Sequence, residues 1–262
     1  MESPSEVRHL YGPRVHLHEQ PFLAGLLQRA STASCGRLEL IQTIRTLYTV
    51  LAARAFGATW PTSLVERETR MAEFEPAAAT LRAEVLDPAL QVVVVDVIRG
   101  GILPSQLCFE LLSAALPEDH VRQDHLNLAR TTDENNAVTG ADLSGSKVGG
   151  PIDGRWLVLP DPMGATGSTT VEVIRHYREQ HGKPAGVLCL PLISTPEFLR
   201  RVLGEVEDVT IHTLRVDRGL SEPDVLNAIP GQHWERERGL TATGYIVPGA
   251  GGLGELLNNS WC

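Results

Sequence analysis

The chain alternates two kinds of apolar pattern, short β-branched runs and longer stripes at helical spacing. Pro21–Arg29 and Arg37–Phe56 carry such stripes. In the second, Leu40, Ile41, Ile44, Leu47, Tyr48 and Leu51 share a face, with Gln42, Arg45 and Thr49 between them and Gly57 as a stop. A helix of this kind packs on the chain's own core or on a second subunit. Residues 58–90 are mixed and polar, with a helix expected near Glu75–Val85. Val92–Ile98 is too short and β-branched for an ordinary helix and reads as a buried strand. Arg99-Gly100-Gly101 ends it, and a helical stripe follows over Leu103–Leu116. The same order returns at Leu157–Ile174: an apolar run ending at Asp161, a turn of small and hydroxyl residues, then Val171, Ile174 and Tyr177 at helical spacing. Two more strands, Gly186–Leu192 and Val209–Val216, flank a helix over Pro196–Leu203. The alternation predicts an α/β fold, a parallel sheet with helices on both faces. Ligands then belong at the carboxyl ends of the strands, which hold Arg99, Asp161 and Ser194–Thr195.

Composition narrows this picture. The 262 residues, 42% hydrophobic and 21% charged, suit one large domain with appendages. No internal repeat, heptad array or clear linker divides them. A net charge of -9 argues against nucleic-acid binding, while a locally positive pocket can still hold a small anion. Cys35, Cys108, Cys189 and Cys262 are scattered, without C-x-x-C or His–Cys ligand spacing. Neither a disulfide nor a zinc framework is expected, and a reducing cytoplasm is the expected setting. Met1–His9 is polar and the longest apolar runs are too short to span a bilayer, so no membrane association is expected. Residues 1–14 read as a flexible tail. Residues 129–154, poor in apolar side chains and holding Gly140, Gly145, Gly149, Gly150 and Gly154, read as a flexible lid.

The turn after Asp161 can aim several N–H groups and the hydroxyls of Thr166, Ser168 and Thr169 at one anion, with a helix N-terminus behind them. There is no G-x-x-x-x-G-K-[ST] run, and no G-x-G-x-x-G after an early strand. The pattern D-P-M-x-A-T-G at Asp161–Gly167 is more specific. It resembles the phosphoribosyl-diphosphate loop of type I phosphoribosyltransferases, and of uracil phosphoribosyltransferases in particular. Val97–Gly101, V-I-R-G-G, resembles that subfamily's I-L-R-A-G diphosphate loop. Gly244–Gly251, G-Y-I-V-P-G-A-G, resembles its base-holding G-Y-I-V-P-G-L-G segment. More loosely, Gln20–Thr32 resembles the H-P-L…L-x-R-x-x-x-T opening. The likeness covers roughly residues 15–255.

The resemblance implies a type I phosphoribosyltransferase-like domain over 15–262, with an N-terminal helical extension and a C-terminal base-binding segment. It implies transfer of a phosphoribosyl group from phosphoribosyl diphosphate to a pyrimidine, most simply uracil, giving UMP and diphosphate. Magnesium is the implied cofactor and a homodimer or higher homo-oligomer the implied assembly. Such a reaction builds positive charge on ribose and negative charge on the leaving group, so the protein must anchor, neutralise and exclude water. Met163, Gly164, Ala165, Thr166, Gly167, Ser168 and Thr169 are the expected 5′-phosphate cradle. Asp161 is the expected acceptor for ribose hydroxyls, directly or through magnesium-bound water, with no direct metal cage needed. Arg99 with the Gly100 and Gly101 amides suits the diphosphate. Arg130, followed by T-T-D-E like the family's R-D-E stretch, is a further catalytic candidate, and Lys147 a diphosphate candidate from a closing lid. Tyr245, Ile246, Val247, Gly249, Gly251 and Gly252 are the base candidates, reading a pyrimidine edge through main-chain groups. Each has a plainer alternative: Asp161 as a turn cap, Arg99 as a surface cation, Thr166 and Gly167 as turn chemistry, Lys147 as a loop lysine. Asp217 matches an acidic family position or caps a turn. The likeness also implies an unusual peptide geometry in the diphosphate loop.

The chain departs from the pattern around the base. Where the family continues G-D-A-G-D-R, this chain has Gly251-Gly252-Leu253-Gly254-Glu255-Leu256. Gly252 and Glu255 replace the two acids, and Leu256 replaces the arginine. Gly164 replaces a larger apolar residue, and 221–243 is an insertion. These changes point to an altered acceptor, reduced activity or a non-catalytic descendant, and the acid lost at Gly252 argues against ordinary uracil use. The retained Asp161, Thr166, Gly167 and Arg99 favour catalysis, so the alternatives to uracil transfer are a different heterocyclic acceptor or a nucleotide-binding regulator without turnover.

Overall fold

The computed structural model describes residues 6–127, 129–132, 138–142 and 145–260, without the side chains of 129–132 and 138–142. The strands are β1 (Val15–Leu17), β2 (Thr62–Glu68), β3 (Thr80–Leu86), β4 (Val92–Ile98), β5 (Val121–Asn127), β6 (Ala129–Thr132), β7 (Val138–Asp142), β8 (Trp156–Leu159), β9 (Met163–Gly164), β10 (Gly186–Cys189), β11 (Ile193–Ser194), β12 (Val209–Thr213) and β13 (Arg215–Val216). The helices are α1 (Pro21–Ala30), α2 (Arg37–Thr59), α3 (Ile102–Ser113), α4 (Ser168–Gln180), α5 (Pro196–Glu205), α6 (Pro223–Leu226) and α7 (Leu253–Asn258).

A six-stranded sheet in the order β1-β12-β10-β8-β4-β5 forms the centre, and every pairing in it is parallel. Side-chain alternation along β4 explains the layers. Val92 and Val94 face a core shared with α1, α2 and α3, while Val93 and Val95 face one shared with α4 and α5. The chain then breaks after β8, β10 and β12 and resumes parallel pairing as β9, β11 and β13, a small three-stranded sheet beyond their carboxyl ends. That extension carries the phosphate-loop candidates. Asp124 on β5 is buried, pairs with Arg122 and accepts the Tyr177 hydroxyl of α4 at 2.9 Å, which fixes the helix behind that loop.

Several expectations change. Glu75–Val85 is not a helix: its C-terminal part belongs to β3, which pairs with β2 in an antiparallel hairpin over a full seven-residue register. Neither strand has a consistently buried face, so the helix-forming composition of β3 misleads. Helix α2 runs through Gly57 to Thr59. Residues 6–14 are laid down on the domain. Arg14 donates to the carbonyls of Leu203, Val206 and Glu207, and the buried Tyr11 donates to Glu237 at 2.7 Å. Within the glycine-rich stretch, β6 and β7 form a hairpin.

Candidate active site

A cleft of about 410 Å³ opens at the carboxyl ends of β4 and β8. Ile98–Gly100, Asp161–Met163, Thr169, Gly244–Ile246 and Gly251–Glu255 line it. Three stretches far apart in sequence therefore meet in one place.

After β4 the Ile98–Arg99 peptide is cis, an unusual geometry in the loop where one was expected. The Arg99 guanidinium donates to the Ser260 carbonyl and hydroxyl at 3.2 and 2.8 Å, and its own carbonyl accepts from Asn258. Gly100 lies against Asp161. Gly101 plays another part than expected. Its N–H is spent on the Val97 carbonyl at 2.9 Å, and a Cβ there would lie 2.7–2.8 Å from the Val97 backbone. It makes the turn possible and offers no amide to a ligand.

Asp161 is half-buried, and its Oδ1 accepts the Met163 N–H at 3.2 Å. Burial pushes its carboxyl up to about 6, only partly offset by that hydrogen bond. Beyond it, Ala165 spends its N–H on Met163, while its carbonyl accepts the Thr195 hydroxyl at 2.6 Å. Thr195 thus clamps the loop from below. Gly167 has φ +76 and caps α4, a position that needs glycine. Thr166, Ser168 and Arg201 form a chain: Thr166 donates to Ser168 Oγ at 3.0 Å and Arg201 to the same oxygen at 2.7 Å. Arg201, a cation beside the expected phosphate cradle, is not marked by local sequence because it sits on the separate helix α5. Gly164 has a packing reason, since the Phe198 ring occupies the space 3.0–3.1 Å from where a Cβ would stand.

The base-loop candidates divide. Neither the N–H nor the carbonyl of Ile246 has a partner among the described residues, and Ile246 faces the cleft. Val247 is not available to a ligand: its N–H goes to Gly239 at 2.8 Å and its carbonyl accepts from Gly219 at 3.0 Å. Gly249 is likewise committed. Its N–H donates to Asp217 at 2.7 Å and its carbonyl accepts from Arg215 at 3.0 Å. Asp217 is buried in a two-point pair with Arg215, at 2.5 and 3.0 Å, and anchors the base loop rather than capping a turn. Val247–Pro248 is cis, placing proline third in the turn Ile246–Gly249. The Tyr245 ring is 68% exposed at the mouth, and Gly251 and Gly252 line the floor.

Lys147 is not brought to the cleft, being exposed and tied through its backbone to His125. The Arg130 side chain lies outside the described residues, its backbone being on β6. The insertion at 221–243 is organised by Glu237, fully buried, which accepts from Tyr11, Arg218 and Gly231. Its far end reaches the base loop through Gly239.

This fold, with a ligand cleft at the strand ends, is that of the type I phosphoribosyltransferases. The AQ2163 protein from Aquifex aeolicus superposes with TM-score 0.67 at 20% identity, covering 93% of this chain and 97% of that one. An adenine phosphoribosyltransferase from Trypanosoma brucei, solved with AMP, pyrophosphate and ribose-5-phosphate, superposes with TM-score 0.51 at 12% identity, covering 91% and 97%. The chain belongs to the uracil phosphoribosyltransferase family, whose model matches residues 17–231, and is a phosphoribosyltransferase. The uracil phosphoribosyltransferase of Agrobacterium fabrum is 25% identical over 232 residues, 88% of this chain and 90% of that protein. That of Beutenbergia cavernae is 28% identical over 252 residues, 93% and 98% respectively. Among the described residues no helix is long and apolar enough to cross a membrane.

Proposed function

We propose that this enzyme joins uracil to ribose 5-phosphate, releasing diphosphate from phosphoribosyl diphosphate and yielding UMP. The observation that carries this reading is the meeting of Arg99–Gly100, Asp161, Ala165 and Thr169 of the following turn, and Ile246 around one cleft. The N–H groups of Thr166, Gly167 and Thr169 have no protein acceptor among the described residues and suit the 5′-phosphate at the start of α4. The ionised Asp161 accepts the ribose hydroxyls and favours positive charge developing on the ribose. Arg99 and the Gly100 amide receive the diphosphate. The free N–H and carbonyl of Ile246 match the donor and acceptor edge of a pyrimidine, while Asp217 and Arg215 hold the turn in shape.

Magnesium fits this donor set. Asp161 is a hard oxygen ligand beside a glycine-lined space, which suits a cation that keeps its waters and rides on substrate phosphates. When bound, it would neutralise diphosphate charge. Incubation of the purified enzyme with magnesium, phosphoribosyl diphosphate and a panel of bases, following diphosphate release, tests the reading. Uracil-dependent release is expected. Release only with another heterocycle would transfer the activity to that acceptor, a reading the exchange of acid for Gly252 favours. Ligand binding with no release would mark a regulator.

A further inference from the structure

We propose that Glu255 supplies the carboxylate that orients the acceptor base, and that Gly252 is glycine to make room for it. The assignment rests on the phosphoribosyl-transfer reading above. Two observations carry it. Gly252 has φ -78 and ψ 82, a backbone that does not require glycine. A Cβ built there would nevertheless fall under 3.0 Å from Glu255 Oε2, the far end of a flexible side chain, so a side chain at 252 would displace the carboxylate from its present position. The carboxylate of residue 255 therefore stands where a side chain at 252 would begin, the place left by the missing acid. Glu255 also lines the cleft with Asp161 and Ile246, and it makes no side-chain hydrogen bond or ion pair among the described residues. A negative group held in a ligand cleft without a protein partner is poised to accept a hydrogen bond from a ligand N–H. On this segment, shared with Ile246, the donor is the ring N–H of the heterocycle.

The competing explanation is structural. Glu255 is the third residue of α7, where a glutamate reaches back to the cap N–H in a capping box, and glutamine does so as well. That bond is not made here. The charge-specific variant Glu255→Gln therefore separates the two roles, and Gly252→Ala evicts the carboxylate without altering it.

Steady-state kinetics with uracil and with phosphoribosyl diphosphate, alongside thermal melting, test this. Glu255→Gln and Gly252→Ala should each raise KM for the base about ten- to a hundredfold, leave KM for phosphoribosyl diphosphate near wild type, and melt as wild type does. The double variant Gly252→Asp/Glu255→Ala, which returns the acid to position 252, should recover most of the loss seen in Glu255→Ala. Full activity in Gly252→Ala and Glu255→Gln overturns the assignment, as does a defect confined to phosphoribosyl diphosphate or to the melting temperature. A wild-type enzyme that turns over no base overturns the underlying reading instead, and the assignment falls with it.

Discussion

Asp161 shows what the site asks of a single residue. Its carboxyl is raised by burial from 3.8 to about 6, so the ionised folded state carries a penalty of at most about 3 kcal/mol relative to the unfolded chain. The sign follows directly. Below about pH 4 the group is protonated in both states and costs nothing. Between about 4 and 6 only the unfolded chain releases its proton, and above about 6 the full penalty applies. Asp161→Asn should therefore raise the melting temperature of the unliganded enzyme at pH 8, with the gain shrinking toward pH 4, while turnover falls by several orders of magnitude. The same titration should make wild-type kcat/KM for phosphoribosyl diphosphate fall below about pH 6, since the neutral acid no longer favours the developing positive charge. Pairing a pH series of melting curves for both proteins with kinetics checks both halves. Unchanged turnover in the variant removes the ribose role.

At the scale of elements, the base loop is held from behind by a buried ion pair rather than by its own turn. Asp217 follows β13, pairs with Arg215 and takes the Gly249 N–H. Asp217→Asn leaves Arg215 uncompensated and should cost about 3 kcal/mol of stability, with KM for the base rising while binding of phosphoribosyl diphosphate is retained. Calorimetric titration with each substrate distinguishes the two. This anchoring illustrates what sequence could and could not reveal. Val92–Ile98 was legible with its bounds, because a parallel strand buried as far as Val97 leaves a nearly continuous β-branched run. The three loops that meet at the cleft were legible because their glycine, proline and hydroxyl residues stand in the fixed order that carries the family resemblance. Strand β5 was not, since Arg122 and Asp124 pair with each other inside a polar-looking run. The 221–243 stretch also hid its order: E-R-E-R looks solvated, yet its second glutamate is the buried Glu237. Partner choice across the chain, unlike periodicity, leaves no local mark. For the same reason Gly101, Val247 and Gly249 seemed to offer ligand contacts, although their main-chain groups are consumed by neighbours distant in sequence or by the turn itself.

Among the described residues two hairpins stand apart from the larger sheets, β2–β3 and β6–β7, and the first exposes a cluster of large apolar side chains. The β2–β3 hairpin joins no other sheet, and Leu64, Met71, Phe74 and Leu81 on it are each more than half exposed, Phe74 at 69%. An isolated two-stranded hairpin is marginal in water, and clustered exposed apolar side chains mark a surface that is covered in use. Between one face of this hairpin, with Val65, Leu81 and Val85, and the segment Ala114–Pro117 that follows α3 lies a groove of about 570 Å³. If the homodimer that the family resemblance implies uses this surface, the groove and the apolar residues between the strands are expected to meet their counterparts in a second copy. A twofold axis would let Met71 and Phe74 of each copy enter the groove of its mate, giving two identical contacts that stabilise both hairpins. The wild-type chain should sediment as a dimer at micromolar concentration. Phe74→Ser should weaken that dimer about thirtyfold, in line with loss of an aromatic anchor worth about 2 kcal/mol, and Met71→Ser/Phe74→Ser should be monomeric at the same concentration. Because the cleft lies at the strand ends, away from the hairpin, the monomeric variant should retain binding of phosphoribosyl diphosphate. A wild-type chain that sediments as a monomer, or a double variant that remains dimeric, rules out this arrangement.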